Sequence, residues 1–106
     1  MKKLECVVRP EKVRELAEKL ILAGAMGMTV TEIKGFGRQT TRPGNYLFLP
    51  KSKIEMYVSD SQVEEFIKVI ADCCREEELG SGKIVVLPIE EAVRVRTMER
   101  AEAALI

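Results

Sequence analysis

The sequence predicts an α+β domain in which two helices pack on one face of a four-stranded sheet. The first observation behind this prediction is a pair of apolar stripes at helical spacing, each placed between segments that have the pattern of strands. The second is the order of those segments, which is strand, helix, strand, repeated once. At 106 residues the chain forms one small domain, residues 1–106, with a core of modest size.

The first half of the chain supplies one strand–helix–strand unit. Residues 3–9 alternate in polarity, which indicates a half-buried strand that Pro10 closes. An apolar stripe at helical spacing follows in residues 13–21, and Gly24 stands where that helix would end on a left-handed residue. Residues 28–36 are rich in β-branched side chains and predict the second strand.

The second half repeats this order. Residues 53–58 alternate cleanly and predict a third strand, and Ser61–Glu64 has the pattern of a capping box in front of a second apolar stripe. Residues 84–87 predict a fourth strand that is apolar on both faces. The whole order predicts the ferredoxin-like βαββαβ arrangement. Since two helices cover only one face, we expect a homo-oligomer packed sheet to sheet, with a ligand or a partner protein as the alternative.

The composition limits the classes of function. Lys and Arg number 17, as do Asp and Glu, so no global field attracts nucleic acid. No apolar run is long enough to span a membrane, and the sequence predicts a cytoplasmic protein. Without histidine, Ser–His and Cys–His nucleophiles are excluded, and we expect no enzyme. Cys6, Cys73 and Cys74 lack C-x-x-C spacing and are predicted to be buried, reduced thiols, with a redox or metal role as the alternative.

Two glycine-rich corners could bind an anion. In KGFGRQ, residues 34–39, two glycines allow close approach of the backbone, and the arginine suits phosphate or carboxylate. In GSGK, residues 80–83, backbone N–H groups could cradle an anion, although the motif is not a Walker A loop. An ordinary turn is the alternative explanation of each corner.

A third basic motif follows the fourth strand. If residues 93–96, VRVR, are extended, Arg94 and Arg96 point the same way and could grip one polyanionic ligand. An exposed edge strand would have the same pattern.

Four segments, in order and across nearly the whole chain, resemble the PII signal-transduction proteins. They are MTVTEIKGFGRQ at 28–39, LPKSKIEMYV at 49–58, GSGKIVVLPIEEAVRVRT at 80–97 and the small-residue ending AALI. The resemblance implies the ferredoxin-like fold and a homotrimer. It also implies a sensor that binds an adenine nucleotide (ATP, ADP or AMP) in each cleft between subunits and controls a partner, a transporter or an enzyme, in nitrogen metabolism.

The same resemblance implies roles for individual residues. The base of the family's long T-loop corresponds to Gly35, Gly37, Arg38 and Gln39. Gln39 would help bind Mg²⁺ through the nucleotide and, with Lys51, the effector 2-oxoglutarate. The rest of the nucleotide site would comprise Thr29, Glu55 and Tyr57 at the adenine, Gly80, Ser81, Gly82 and Lys83 in the phosphate-binding B-loop, and Arg94 and Arg96 from the neighbouring subunit.

The chain departs from the family in two loops. The T-loop, about 38–50, is shortened, and the segment with the modifiable tyrosine of enteric members is missing; its remaining turn would display Tyr46, Leu47 and Phe48. The B-loop, about 76–83, carries Glu76–Glu78, whose added charge opposes a bound phosphate and predicts weak triphosphate binding or a preference for ADP or AMP. Beyond it, the C-terminal segment is about 93–106. The alternatives are a PII-like sensor of bicarbonate and a nucleotide-free trimeric interaction module.

Overall fold

The computed structural model describes residues 1–37, 47–75 and 82–106, and within these ranges the predicted α+β fold is confirmed. Four strands and two α-helices alternate in the predicted order. The strands are β1 (Lys2–Val8), β2 (Thr29–Gly35), β3 (Leu49–Val58) and β4 (Ile84–Pro88); the helices are α1 (Val13–Leu22) and α2 (Val63–Cys74). Short 3₁₀ turns occupy Pro10–Lys12, Asp60–Gln62 and Ala101–Leu105.

The sheet has the strand order β2-β3-β1-β4, and every neighbouring pair is antiparallel. Each helix therefore connects two strands that are not neighbours, which is the split βαβ topology of the ferredoxin-like fold. β1 and β3 lie in the centre, and β2 and β4 form the edges.

The core lies between the sheet and the two helices. Alternate residues of β1 and β3 point into it, and the predicted helical stripes supply the facing side chains. The buried apolar residues are Leu4, Cys6, Val8, Leu16, Leu20, Ile54, Met56, Val58, Val63, Phe66, Ile70, Cys73 and Cys74. All three cysteines are buried free thiols, as the sequence predicts. No helix in the described ranges is long and apolar enough to cross a membrane.

Gly24 ends α1 as predicted. Its φ is 105°, and its N–H donates to the carbonyl of Ile21 while the N–H of Ala25 donates to the carbonyl of Leu20. These two bonds satisfy carbonyls that the helix would otherwise leave free, in the pattern of a Schellman motif.

The predicted capping box at Ser61–Glu64 is wrong by two residues. Ser59 and Gln62 form the box instead, because the chain first makes the 3₁₀ turn Asp60–Gln62 before α2 begins. The amide oxygen of Gln62 accepts from both the backbone N–H and the hydroxyl of Ser59, at 3.1 and 3.0 Å. The start of the second helical unit is thus fixed by local hydrogen bonds.

β3 begins four residues before the predicted Lys53. The added residues pair with β2, up to Gly35 opposite Leu49. Pro50 is tolerated there because β1 ends opposite Ser52, so the ladder with β1 does not need an N–H at Pro50. The hairpin between β2 and β3 therefore extends beyond the rest of the sheet.

Neither α1 nor α2 covers the opposite face of the sheet. Lys3, Glu5, Lys53 and Glu55 alternate in charge there and form a closed ring of ion pairs at 3.1–3.6 Å. At the edge, Val85 and Leu87 of β4 are 46% and 38% exposed. Because β4 presents apolar side chains on this open face as well, the strand has the pattern expected of a second packing surface.

Candidate functional site

A cavity of about 250 Å³ lies where β2 begins and β3 nears its end. It brings together Thr29, Glu55 and Tyr57, the three residues predicted to surround an adenine. The antiparallel register places Thr29 directly opposite Glu55, with Tyr57 two residues further along the same face of β3. The other lining residues are Met26, Gly27, Met28, Met56, Ala104, Leu105 and Ile106. A hydroxyl, a carboxylate and a phenol in an apolar setting suit a flat, partly polar ring.

The carboxylate of Glu55 is already paired on the open sheet face. Its oxygens lie 3.1 Å from Nζ of Lys3 and 3.6 Å from Nζ of Lys53, within the ion-pair ring. These contacts neutralise the negative charge beside the cavity, which would otherwise repel an anionic ligand.

Residues 93–96 are not a continuous extended segment, so the condition under which Arg94 and Arg96 would point the same way is not met. Residues 95–97 form a turn instead, closed by bonds from Arg94 N–H to the Glu99 carbonyl at 2.9 Å and from Met98 N–H to the Arg94 carbonyl at 2.7 Å. A bridge between Val93 and Arg100 completes this C-terminal hairpin. Local backbone bonds therefore override the alternating pattern, and the two guanidiniums do not stand on one strand face.

Arg94 is engaged within its own chain. Its Nη2 donates to the carbonyl of Ala103 at 3.4 Å, and its Nε lies 3.7 Å from Oε1 of Glu99. The side chain is only 29% exposed, whereas Arg96 lies exposed on the turn. Arg94 thus contacts the C-terminal part of its own chain, and Arg96 faces solvent.

Gly82 and Lys83, the described residues of the B-loop, lie towards the other end of the sheet. Gly82 has a φ of 92° and packs so tightly on β1 that a Cβ would overlap the carbonyl oxygen of Val7. Gly82 and Lys83 also line a second cavity, of about 210 Å³, together with Cys6, Cys74 and Arg75. The predicted contributions of Gly80 and Ser81, and the acidic residues Glu76–Glu78, fall outside the described residues.

The base of the T-loop is fixed by an aromatic pair. Phe36 and Phe48, the residues just beyond the last β2–β3 pair, have ring centroids 5.6 Å apart at an interplanar angle of 61°. A Cβ at Gly35 would make only ordinary contact with the side chain of Lys51, and a Cβ at Gly37 would meet no other described residue within 4 Å. The predicted roles of Arg38 and Gln39, and the turn that displays Tyr46, lie outside the described residues.

The described site residues fall into two separate groups. Val7, against which Gly82 packs, lies opposite Lys53, four residues along β3 from Tyr57. At about 3.4 Å per residue, this register places the Gly82 group roughly 14 Å along the sheet from Tyr57 and roughly 7 Å from Glu55. Gly35, Gly37 and Lys51 lie at the same end of the sheet as Gly82.

The sequence analysis did not assign the C-terminal wall of the cavity. Ala104, Leu105 and Ile106 form this wall, and Met26–Met28 form another part of the lining. The signal for Ala104–Ile106 in the sequence is the ending AALI, which is part of the family resemblance but received no role in the site. The described residues contain no group of three or more Cys, Asp or Glu side chains that could hold a metal ion.

The family model for nitrogen regulatory protein P-II matches residues 1–99. Nitrogen regulatory protein P-II of Rhodobacter capsulatus is 45% identical to this chain, and that of Cereibacter sphaeroides is 42% identical; each comparison covers 99% of this chain and all of the relative. Both alignments span 112 positions, so at least six positions of the relatives have no counterpart among these 106 residues.

A solved structure has the same fold. The crystal structure of Arabidopsis thaliana PII bound to citrate matches with a TM-score of 0.83 at 38% identity, over 98% of this chain and 88% of that one. Together with the four-stranded antiparallel sheet and its two helices, these matches confirm the resemblance found in the sequence. The chain therefore belongs to the nitrogen regulatory protein P-II family, a family of signal-transduction regulators and not of enzymes.

Proposed function

We propose that the chain is a homotrimeric sensor that binds an adenine nucleotide in each cleft between subunits. In this proposal the nucleotide changes the short T-loop, and the T-loop controls a partner protein in nitrogen metabolism. The partner is a transporter or an enzyme. The family and the named relatives are nitrogen regulatory proteins, which supports a role in nitrogen metabolism.

The observation that carries the proposal is the separation of the two groups of site residues. The cavity with Thr29, Glu55 and Tyr57 and the corner with Gly82 and Lys83 lie at opposite ends of one sheet. A nucleotide has a flat base at one end and phosphates at the other, and within one chain the residues predicted for these two ends lie apart, with the ring of ion pairs between them. A second subunit that brings its Gly82 corner to the first subunit's cavity would complete the site.

The open sheet face supports the trimer. Val85 and Leu87 remain partly exposed in a single subunit, so packing against further copies would remove apolar surface from water. The four charges of the ring cancel one another, which lowers the cost of bringing three such faces together.

The basic residues support an anionic ligand. Lys51 and Lys83 lie at the end of the sheet that would face the phosphates, and Arg94 and Arg96 are carried on the C-terminal hairpin. The Arabidopsis relative binds citrate, which is itself a polyanion. We expect Mg²⁺ to enter with the nucleotide through Gln39, and 2-oxoglutarate to require Gln39 and Lys51.

In this proposal the T-loop is the part of the protein that contacts the partner. The Phe36–Phe48 pair holds the two strands together at its base, so a change at Gly35 or Gly37 would be passed to the whole short loop. The missing positions relative to the P-II relatives support a T-loop shorter than usual. We therefore expect a partner contact smaller than that of a full-length T-loop.

Isothermal titration calorimetry tests the proposal. ATP, ADP and AMP are titrated separately, each with and without Mg²⁺ and 2-oxoglutarate, and bicarbonate is titrated alone and with each nucleotide. Saturation near one nucleotide per subunit is the expected result, with ADP or AMP bound more tightly than ATP if the acidic B-loop acts as predicted. Binding of bicarbonate alone would favour the inorganic-carbon sensor, and no binding at all would favour the interaction module.

A matched pair of variants tests whether the adenine ring of the nucleotide binds in this cavity. Thr29→Ala removes a hydroxyl from the cavity, whereas Thr31→Ala removes one from the same face of β2 at a position that does not line it. We expect Thr29→Ala to weaken nucleotide binding by about 1 kcal/mol, roughly a fivefold loss of affinity, and Thr31→Ala to leave the affinity unchanged. Equal losses of nucleotide affinity in both variants would contradict the assignment of this cavity to the adenine ring.

A further inference from the structure

The last part of the C-terminal segment, residues 101–106, forms one wall of the cavity beside Thr29, Glu55 and Tyr57. It contributes Ala104, Leu105 and Ile106, and it is a 3₁₀ turn with no buried side chain. A turn without buried side chains gains little from the core, so its position depends on the few contacts that hold it.

Arg94 supplies the side-chain contact that reaches furthest along this segment. Its Nη2 donates to the Ala103 carbonyl, and its Nε pairs with Glu99, which Thr97 Oγ1 also contacts at 2.7 Å. The segment is otherwise held at its start, where the N–H of Ala101 donates to the Ala92 carbonyl at 2.9 Å, and by the amino group of Met1, 3.6 Å from Oε1 of Glu102.

The backbone at the start of the segment is strained. Ala101 has a φ of 55°, and Met98 in the preceding turn has a φ of 63°. Both lie in the left-handed region, which is unfavourable for residues that carry a Cβ. The observed position of the segment therefore persists only while surrounding contacts hold it.

The bond that Arg94 makes with Ala103 is easily displaced. At 3.4 Å it is long for an N–H···O bond, and its acceptor is a neutral carbonyl. A phosphate or carboxylate group can accept two shorter, charge-assisted bonds from the same guanidinium. A polyanion within reach of Arg94 would thus outcompete both Ala103 and Glu99.

We propose that Arg94 is a positioning residue that holds residues 101–106 against the cavity in the free protein. A polyanion bound by Arg94 would release these residues. Strain at Ala101 then favours movement of the wall. Ligand binding at one cleft would in this way change the C-terminal surface as well as the T-loop. The release step rests on the nucleotide binding proposed above, whereas the holding role does not.

Amide hydrogen exchange measured by NMR on the full chain tests the holding role without any ligand. The reporter is the N–H of Ala101, which is bonded to Ala92 in the held position. Arg94→Met should lower its protection about tenfold, and Arg94→Lys should lower it less, because lysine keeps a donor and a charge. Arg14→Met, at an arginine that is 92% exposed on α1, is the control and should leave protection unchanged. Equal protection in Arg94→Met and wild type, or an equal loss in Arg14→Met, would overturn the holding role.

The release step is tested by adding magnesium-free ATP to the same samples. ATP should lower the protection of Ala101 in wild type and in Arg14→Met, and should cause no further loss in Arg94→Met. Unchanged or higher protection in wild type at an ATP concentration that calorimetry shows to be saturating would overturn release. If calorimetry shows no ATP binding, the proposed nucleotide function fails and release fails with it, while the comparison of the ligand-free variants still decides the holding role.

Discussion

Gly82 packs directly on the backbone carbonyl of Val7, in a left-handed conformation in which the carbonyl oxygen takes up the space that a Cβ would need. The contact joins the end of the B-loop to the central strand β1 just before β4 begins. Gly82 is thus required by the fold of the single chain, whatever ligand the corner binds. Loss of binding in a Gly82 variant would not by itself assign a phosphate site.

Gly82→Ala should therefore destabilise the protein. The added methyl group meets a backbone carbonyl that cannot move aside, and alanine is strained at a φ of 92°. We expect a loss of about 1–3 kcal/mol in the free energy of unfolding. Urea denaturation followed by circular dichroism measures it, and a variant as stable as wild type would contradict the close contact.

Gly37→Ala should leave stability nearly unchanged but weaken nucleotide binding. A Cβ at this position meets nothing within the described chain, so the free energy of unfolding should change by no more than about 0.5 kcal/mol. If Gly37 serves the approach of a nucleotide or a neighbouring subunit, the variant should still bind nucleotide more weakly. The same urea titration, paired with calorimetry, separates these two effects, and normal binding would show that Gly37 is only part of a turn.

The ion-pair ring on the open sheet face should make stability depend on pH. A hydrogen bond from Lys3 holds the pKa of Glu5 below its ordinary value of 4.5, so this contribution is complete above pH 4.5 and is lost as pH falls through the lower, folded-state pKa. Pairing with Glu55 and Glu5 raises the pKa of Lys3 above 10.5, so its contribution is complete below that pH. The ring is therefore intact at neutral pH.

Thermal melting of wild type and Glu5→Gln from pH 7 to pH 3 tests this dependence. Glu5→Gln should melt at a lower temperature than wild type at pH 7. The difference should narrow as pH falls from 4.5 through the lower, folded-state pKa of Glu5, where the wild-type carboxylate becomes protonated as well. Glu18→Gln, which removes one partner of an exposed pair with Arg14 on α1, is the control. A difference that stays constant with pH would contradict the role of the Glu5 charge.

The fold was largely predictable because its elements follow two simple periodicities. The stripes of α1 and α2 and the alternation in β1 and β3 all point into the observed core. The first residues of β3 were missed because Leu49–Ser52 do not alternate around Pro50, and only their pairing with β2 makes them a strand. That pairing is a tertiary contact, which the polarity pattern of residues 49–52 alone does not predict.

The site was less predictable for the same reason. Thr29, Glu55 and Tyr57 were assigned through the family resemblance, and the register brings them to one cavity. The alternation of Val93–Arg96 predicted a strand, but bonds within a turn of the same segment fold it into a hairpin. The C-terminal wall depends on contacts between distant parts of the chain and on small residues without a periodic pattern.

The buried thiols should be inert in the folded protein. Burial raises the pKa of Cys6 to about 11, and burial with the neighbouring Cys73 raises that of Cys74 to about 12, so neither is ionised near pH 8. A thiol reagent at pH 8 should react slowly with native protein and rapidly with all three cysteines in guanidinium chloride. Rapid native reaction of Cys6 or Cys74, identified by mass spectrometry, would contradict their burial and revive the redox alternative.

The aromatic pair at the base of the T-loop should contribute a measurable coupling energy. Phe36 and Phe48 meet edge to face just beyond the last β2–β3 pair, and both rings remain about half exposed or more, so their contact adds to the hairpin without belonging to the core. A double-mutant cycle with Phe36→Leu and Phe48→Leu, measured by urea denaturation, should give a coupling of about 0.5–1 kcal/mol. Leucine keeps apolar bulk at each position, so a coupling near zero would mean that the rings act independently. In that case the loop base would be held by the β2–β3 ladder alone, and a partner that binds the T-loop could open it without first separating two rings.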